Sequence, residues 1–125
     1  MTISYERKTT VKLARDTDFA ELLMKRDELT RTTTYTEHSG GTIVIAPTVT
    51  QAIPLGGVTT AELVYLEFDA TINVYINGSA TALPAVVTSG DEPQMWLESM
   101  AVTSLSIENP HASNNATVYF MLAGV

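Results

Sequence analysis

Glu67 and Asp69 stand two residues apart in a strand-like run, a spacing that puts both carboxylates on one strand face. A pair so placed suits the acid and nucleophile of a glycosidase or part of a calcium ligand set. The simpler account is that acids near the open end of a strand keep an edge soluble, and it carries more weight. Asp91 and Glu92 are the other close pair in the body of the chain. His38 and His111 sit in turn-like settings beside Gly40 and Pro110, without a Cys, Asp or second His at ligand spacing, which argues against a metal. No G-x-S-x-G elbow, Walker A loop or G-x-G-x-x-G fingerprint occurs, so no residue is singled out as catalytic and no cofactor is implied. The expectation is a protein that is not an enzyme. Asn77-Gly78-Ser79 and Asn115-Ala116-Thr117 match the N-glycosylation pattern but read more simply as turns.

Recognition groups remain. Trp96, Tyr35, Tyr65, Tyr75 and Tyr119 are the candidates, large aromatics with a polar handle. Tyr75 and Tyr119 fall opposite rows of Ile and Val, so they are expected to face outward or toward a neighbouring subunit. Trp96, beside Met95, Leu97 and Met100, is either a surface anchor or a core plug, and the frequency with which Trp is buried favours the core.

Charge divides the chain. All seven Lys and Arg residues lie between Arg7 and Arg31, and residues 1–31 carry six acids beside them. From Thr32 to Val125 there is no base, and eight acids give this body a charge of −8. A base-free body offers nothing to a phosphate backbone, which argues against nucleic-acid binding. No apolar run is long enough to span a membrane, and the start lacks the pattern of a secretory signal, so a soluble, non-exported protein is expected. With 125 residues and no Cys, one core without disulfides is expected.

The elements that must hold these groups are mostly strands. Thr2 to Ala14 alternates loosely and reads as a short strand or extended arm. From Asp18 the apolar positions Phe19, Leu22, Leu23 and Leu29 follow helical spacing, with Glu21 placed as in a capping box and Lys25 and Arg26 late in the segment. This predicts a short amphipathic helix over 18–29, with a strand as the alternative because short apolar runs are ambiguous by period. Beyond the Thr-rich stretch Thr30 to Thr36, turn residues recur at about ten-residue intervals, as in a sandwich or barrel. Leu63 to Phe68 is nearly all apolar, suggesting a strand covered on both faces. Ile72, Val74 and Ile76 alternate up to Asn77-Gly78, a type I′ hairpin signal, and Pro84 places the returning strand at an edge or bulge. The predicted fold is mainly β: an antiparallel, jelly-roll-like sandwich over 37–125, preceded by an arm and short helix over 1–36.

Five segments carry a family resemblance. They are Ile53-Pro54-Leu55-Gly56-Gly57, Leu63 to Glu67, Ile72 to Gly78, Leu105 to Pro110 and Val118 to Gly124. With their V-x-I-N-G hairpin, T-S-L-x-I-x-N-P strand and terminal V-x-x-x-L-A-G, they resemble small β-sandwich virion accessory proteins of tailed bacteriophages. The resemblance covers roughly residues 40 to 125 and rests on structural motifs. It implies a non-enzymatic particle component assembled in the host cytoplasm: a capsid decoration or cement protein, a head fibre, or a tail accessory subunit. Its partners would be the major capsid or tail protein and further copies of itself. The charge split adds an expectation that the head docks on an acidic surface through Arg7, Lys8, Lys12, Arg15, Phe19, Leu22, Lys25, Arg26 and Arg31. Tyr75, Trp96 and Tyr119 are then candidate surface or inter-subunit aromatics. The alternative is a carbohydrate- or receptor-binding module in which one of these rings stacks on a sugar while Asp69 or Asp91 accepts its hydroxyls.

Overall fold

From Thr30 onward, β-branched residues at alternating positions, broken by Gly, Pro and Asn, favour strands over helices. In the computed structural model, which describes residues 2–14, 22–87 and 93–125, the chain is mainly β with antiparallel pairing, and no helix occurs among the described residues. It divides into two units, Thr2–Tyr35 and Thr36–Val125.

The first unit is a two-stranded antiparallel ladder of β1 (Ile3–Ala14) and β2 (Leu22–Tyr35). Its register runs from Ile3 opposite Tyr35 to Ala14 opposite Leu22, with irregularities between Thr9 and Val11 and between Leu13 and Ala14. The helix expected over 18–29 is therefore corrected: residues 22–29 are strand, while 18–21 lie outside the described residues. A helix of that length is marginal alone in water, whereas pairing with β1 satisfies the same backbone groups across a long ladder. The β-branched Thr residues that follow, Thr30 and Thr32 to Thr34, extend the strand.

The second unit holds eight strands: β3 (Glu37–Ile45), β4 (Thr50–Ala52), β5 (Ala61–Phe68), β6 (Ile72–Ile76), β7 (Leu83–Ala85), β8 (Gln94–Val102), β9 (Leu105–Glu108) and β10 (Ala116–Gly124). They form two four-stranded sheets, ordered β3-β10-β5-β8 and β4-β9-β6-β7. The pairing is nested. The first of the eight pairs with the last, the second with the seventh, the third with the sixth and the fourth with the fifth. Two further ladders, β10 with β5 and β9 with β6, join these pairs into the sheets.

Period-two alternation sends one set of side chains from each sheet into a shared apolar cluster. Val64, Leu66, Phe68, Val118, Phe120 and Leu122 come from one sheet, and Ile72, Val74, Leu105 and Ile107 from the other. Each such burial contributes about 1.5–3 kcal/mol. In β5, between β10 and β8, Leu63 and Val64 are both buried although successive, which explains the near-continuous apolar run there. Pro84 lies in β7, an edge strand, the place in a sheet where a residue without an N–H is tolerated.

Asn77 and Gly78 both take positive φ, 53° and 71°, and Ser79 N–H bonds Ile76 C=O at 3.0 Å, as the Asn-Gly signal predicts. The next strand does not follow at once, however, since Val74 pairs with Leu83. Instead the Asn77 side chain ties its turn to another loop. Its Oδ1 accepts from the N–H groups of Thr103 and Ser104, and its Nδ2 donates to Ala101 C=O.

Candidate binding surface

Strand alternation turns the residues between inward-facing positions to the outer face of their sheet. Tyr65 lies between Val64 and Leu66, Tyr119 between Val118 and Phe120, and Trp96 between Met95 and Leu97, which pack against the core. Trp96 is thus 44% exposed, and the expectation of a core plug is corrected: its neighbours fill the inward positions, so alternation leaves it the outward one. Tyr119, 41% exposed, faces outward as its pattern predicts.

Register assembles these rings across three strands. Met121 of β10 stands opposite Tyr65 of β5, and Tyr65 opposite Trp96 of β8. One row further on, Thr42, Tyr119, Glu67 and Gln94 lie side by side across all four strands. The Tyr65 and Trp96 ring centres are 5.4 Å apart at 43°, and Tyr65 meets Tyr119 edge-on at 6.5 Å and 72°. Both are favourable aromatic geometries. The Tyr65 hydroxyl donates to Glu67 Oε1. Beside the rings, a groove of about 550 Å³ is lined by Thr42, Glu67, Asp69, Gln94, Thr117 and Tyr119, together with Phe68 and Pro93.

Glu67 and Asp69 do not share a strand as their spacing suggests. Strand β5 ends at Phe68, and Asp69 Oδ1 accepts from the Thr117 N–H at 2.7 Å, capping the approach of β10. Tyr75 belongs to the other sheet. It is half-buried, its hydroxyl 3.5 Å from Glu108 Oε1, an atom that also accepts from Asn73 Nδ2 at 2.7 Å. It is therefore separate from Trp96 and Tyr119, which flank Tyr65. His38, expected in a turn, lies in β3 opposite Ala123, and His111 follows the Asn109-Pro110 turn. Asp91 lies outside the described residues.

The basic residues are distributed along the first unit. Arg7, Lys8 and Lys12 are in β1, and Lys25, Arg26 and Arg31, with Leu22, are in β2; Arg15 and Phe19 lie outside the described residues. The register places Arg7 opposite Arg31 and Lys12 opposite Lys25. Lys8 and Glu6 form an exposed ion pair at 3.7 Å, worth about 0–1 kcal/mol.

What sequence reasoning missed is the central position of Tyr65 and the company of Thr42, Met121 and Gln94. Alternation marks each as outward, but which outward residues become neighbours depends on register between strands distant in sequence. Compared with known protein families, curated proteins and solved structures, the chain gives no match.

Proposed function

We propose that this chain is a non-enzymatic structural subunit of a bacteriophage particle, a decoration or cement protein of the capsid or a head-associated subunit. In this reading the two four-stranded sheets form a jelly-roll sandwich, and the N-terminal unit is the attachment arm. The observation that carries it is the nested order of the eight strands. A long hairpin of eight strands rolled over on itself pairs first with last and so on inward, and that double-sheet roll is a recurrent architecture of viral coat domains. Fold alone does not fix function, so the charge pattern supplies the second strand of support.

A two-stranded ladder is marginal alone in water, and the register of this one sets Arg7 opposite Arg31 and Lys12 opposite Lys25. An acidic surface laid along the ladder meets these bases and stabilises the arm as it docks. The acidic body, with no base from Thr32 onward, is repelled by the same surface and turns outward. Other virion proteins and further copies of the chain are the partners this reading requires.

Truncation tests the division of labour. The shared core cluster runs from Ile45 to Leu122, so a chain beginning at Thr36 is expected to melt cooperatively and retain its β circular dichroism. Mixed with particles purified from a lysate of the producing host and stripped of the native subunit, the full chain should co-sediment and the truncated chain should not. Equal co-sedimentation of both would refute attachment through the arm.

A further inference from the structure

We propose that the outer face of the β3-β10-β5-β8 sheet is a binding site for a neutral saccharide. The rings of Trp96, Tyr65 and Tyr119 form a stepped apolar platform that alternation and register hold on three adjacent strands, so its shape is set by the sheet and not by mobile loops. Trp96 and Tyr119 are more than two-fifths exposed, leaving ring surface for a sugar's C–H face. Directly beside it lies the groove at Thr42, Glu67, Asp69, Gln94, Thr117 and Tyr119. Its volume, about 550 Å³, falls within the range of about 300–1,000 Å³ found for small-molecule sites.

The polar groups select the ligand class. Ionised Glu67 and Asp69 only accept hydrogen bonds, so they suit a ligand rich in hydroxyl donors. Gln94 supplies both a donor and an acceptor, and Thr42 and Thr117 supply hydroxyls that do either. An acidic sugar or a phosphate would meet these carboxylates on a body that has no Lys or Arg from Thr32 onward. A second copy of the chain would bring another acidic, base-free body against these carboxylates. A neutral pyranose stacks on the rings, fills the groove and gives its hydroxyls to the acids. The assignment rests on this sheet face and stands apart from particle attachment, which the truncation experiment tests through the other unit.

The test is a glycan array probed with the full chain, followed by titration with its neutral hits. Trp96 is the only tryptophan, so a change in intrinsic fluorescence on adding sugar reports from the platform itself. Calorimetry on variants supplies the attribution. Trp96→Ala and Tyr119→Ala should each weaken a neutral hit about tenfold or more, a change of about 1.4 kcal/mol. Trp96→Phe should recover part of the loss, Glu67→Gln should weaken binding with the melting temperature unchanged, and Tyr75→Phe on the other sheet should have no effect. An array without neutral hits, hits confined to acidic glycans, binding of lysine-rich peptides in their place, or a neutral hit indifferent to Trp96→Ala and Tyr119→Ala would each overturn the assignment.

Discussion

Replacing Gly124 with alanine is expected to destabilise the second unit by about 3 kcal/mol or more and to lower its Tm by about 10 °C or more. A Cβ at Gly124 would stand 1.9 Å from the carbonyl oxygen of Thr60 and 2.9 Å from its carbonyl carbon. These are backbone atoms, so no rotamer change relieves the overlap. The strand cannot retreat cheaply either. Val125 N–H bonds Thr60 C=O at 3.1 Å, Val125 C=O accepts from the N–H groups of Thr59 and Thr60, and Gly124 C=O accepts from Thr36 N–H at 3.1 Å. Moving β10 away to admit one methyl group would break this set, and β10 lies between β3 and β5 in its sheet. Gly41→Ala, in the neighbouring strand, is the control: its Cβ would find the Phe120 ring at an ordinary 3.5 Å, and its effect should stay within about 1 kcal/mol. Thermal unfolding of the two variants side by side checks this, and equal melting temperatures would contradict the close approach of β10 to Thr60.

The second large effect is expected at Asn109, the one fully buried polar side chain among the described residues. Its Nδ2 donates to Ile45 C=O at 3.0 Å and Asn114 C=O at 2.7 Å, and its Oδ1 accepts from His111 N–H at 3.1 Å. Its backbone bonds Val49 C=O through the N–H and Thr48 N–H through the C=O. The side chain thus holds the end of β3 and the loop leading to β10, while the backbone of the same residue holds the turn before β4. Asn109→Ala leaves two carbonyls and an amide without their partner, at about 1–3 kcal/mol for each buried group, and a total loss of about 3 kcal/mol is expected. Asn109→Asp should cost at least as much, because a carboxylate would face two carbonyl oxygens in a buried setting. Asn109→Ser, tested by urea unfolding, should fall between wild type and Asn109→Ala, having one hydroxyl to offer. Three variants indistinguishable from wild type would show that water replaces the amide and that the residue is no keystone.

How far such features can be read from sequence depends on whether their cause is local. The Asn77-Gly78 turn was legible because positive φ is a property of those two residues, and so was the outward direction of Tyr119, which alternation alone decides. The missing N–H of Pro84 called for an edge or a bulge, and β7 is an edge strand. Asn109 was legible as a turn residue before Pro110, but its burial was not, since its partners are Ile45, far away in sequence, and a loop five residues on. Gly124 carried no sign of its role because the atom it must avoid belongs to Thr60. Trp96 was misread since an intrinsic tendency toward burial was allowed to outweigh the direction that Met95 and Leu97 impose on it. In the first unit the period of Phe19, Leu22, Leu23 and Leu29 pointed to a helix, yet from Leu22 the chain pairs with β1, whose availability no local pattern reveals. The aromatic platform is the extreme case: its rings come from β5, β8 and β10, and only the order of strands in the sheet makes them neighbours.

The central claim is that the chain is built into a particle. Particles banded to homogeneity from a lysate of the producing host, digested with a protease and quantified by mass spectrometry against the major shell protein, test it most directly. The account predicts peptides of this chain in the band, at a fixed ratio to the shell protein that persists through a second round of banding. Peptides found only in the soluble fraction, with none in the particles, would contradict it.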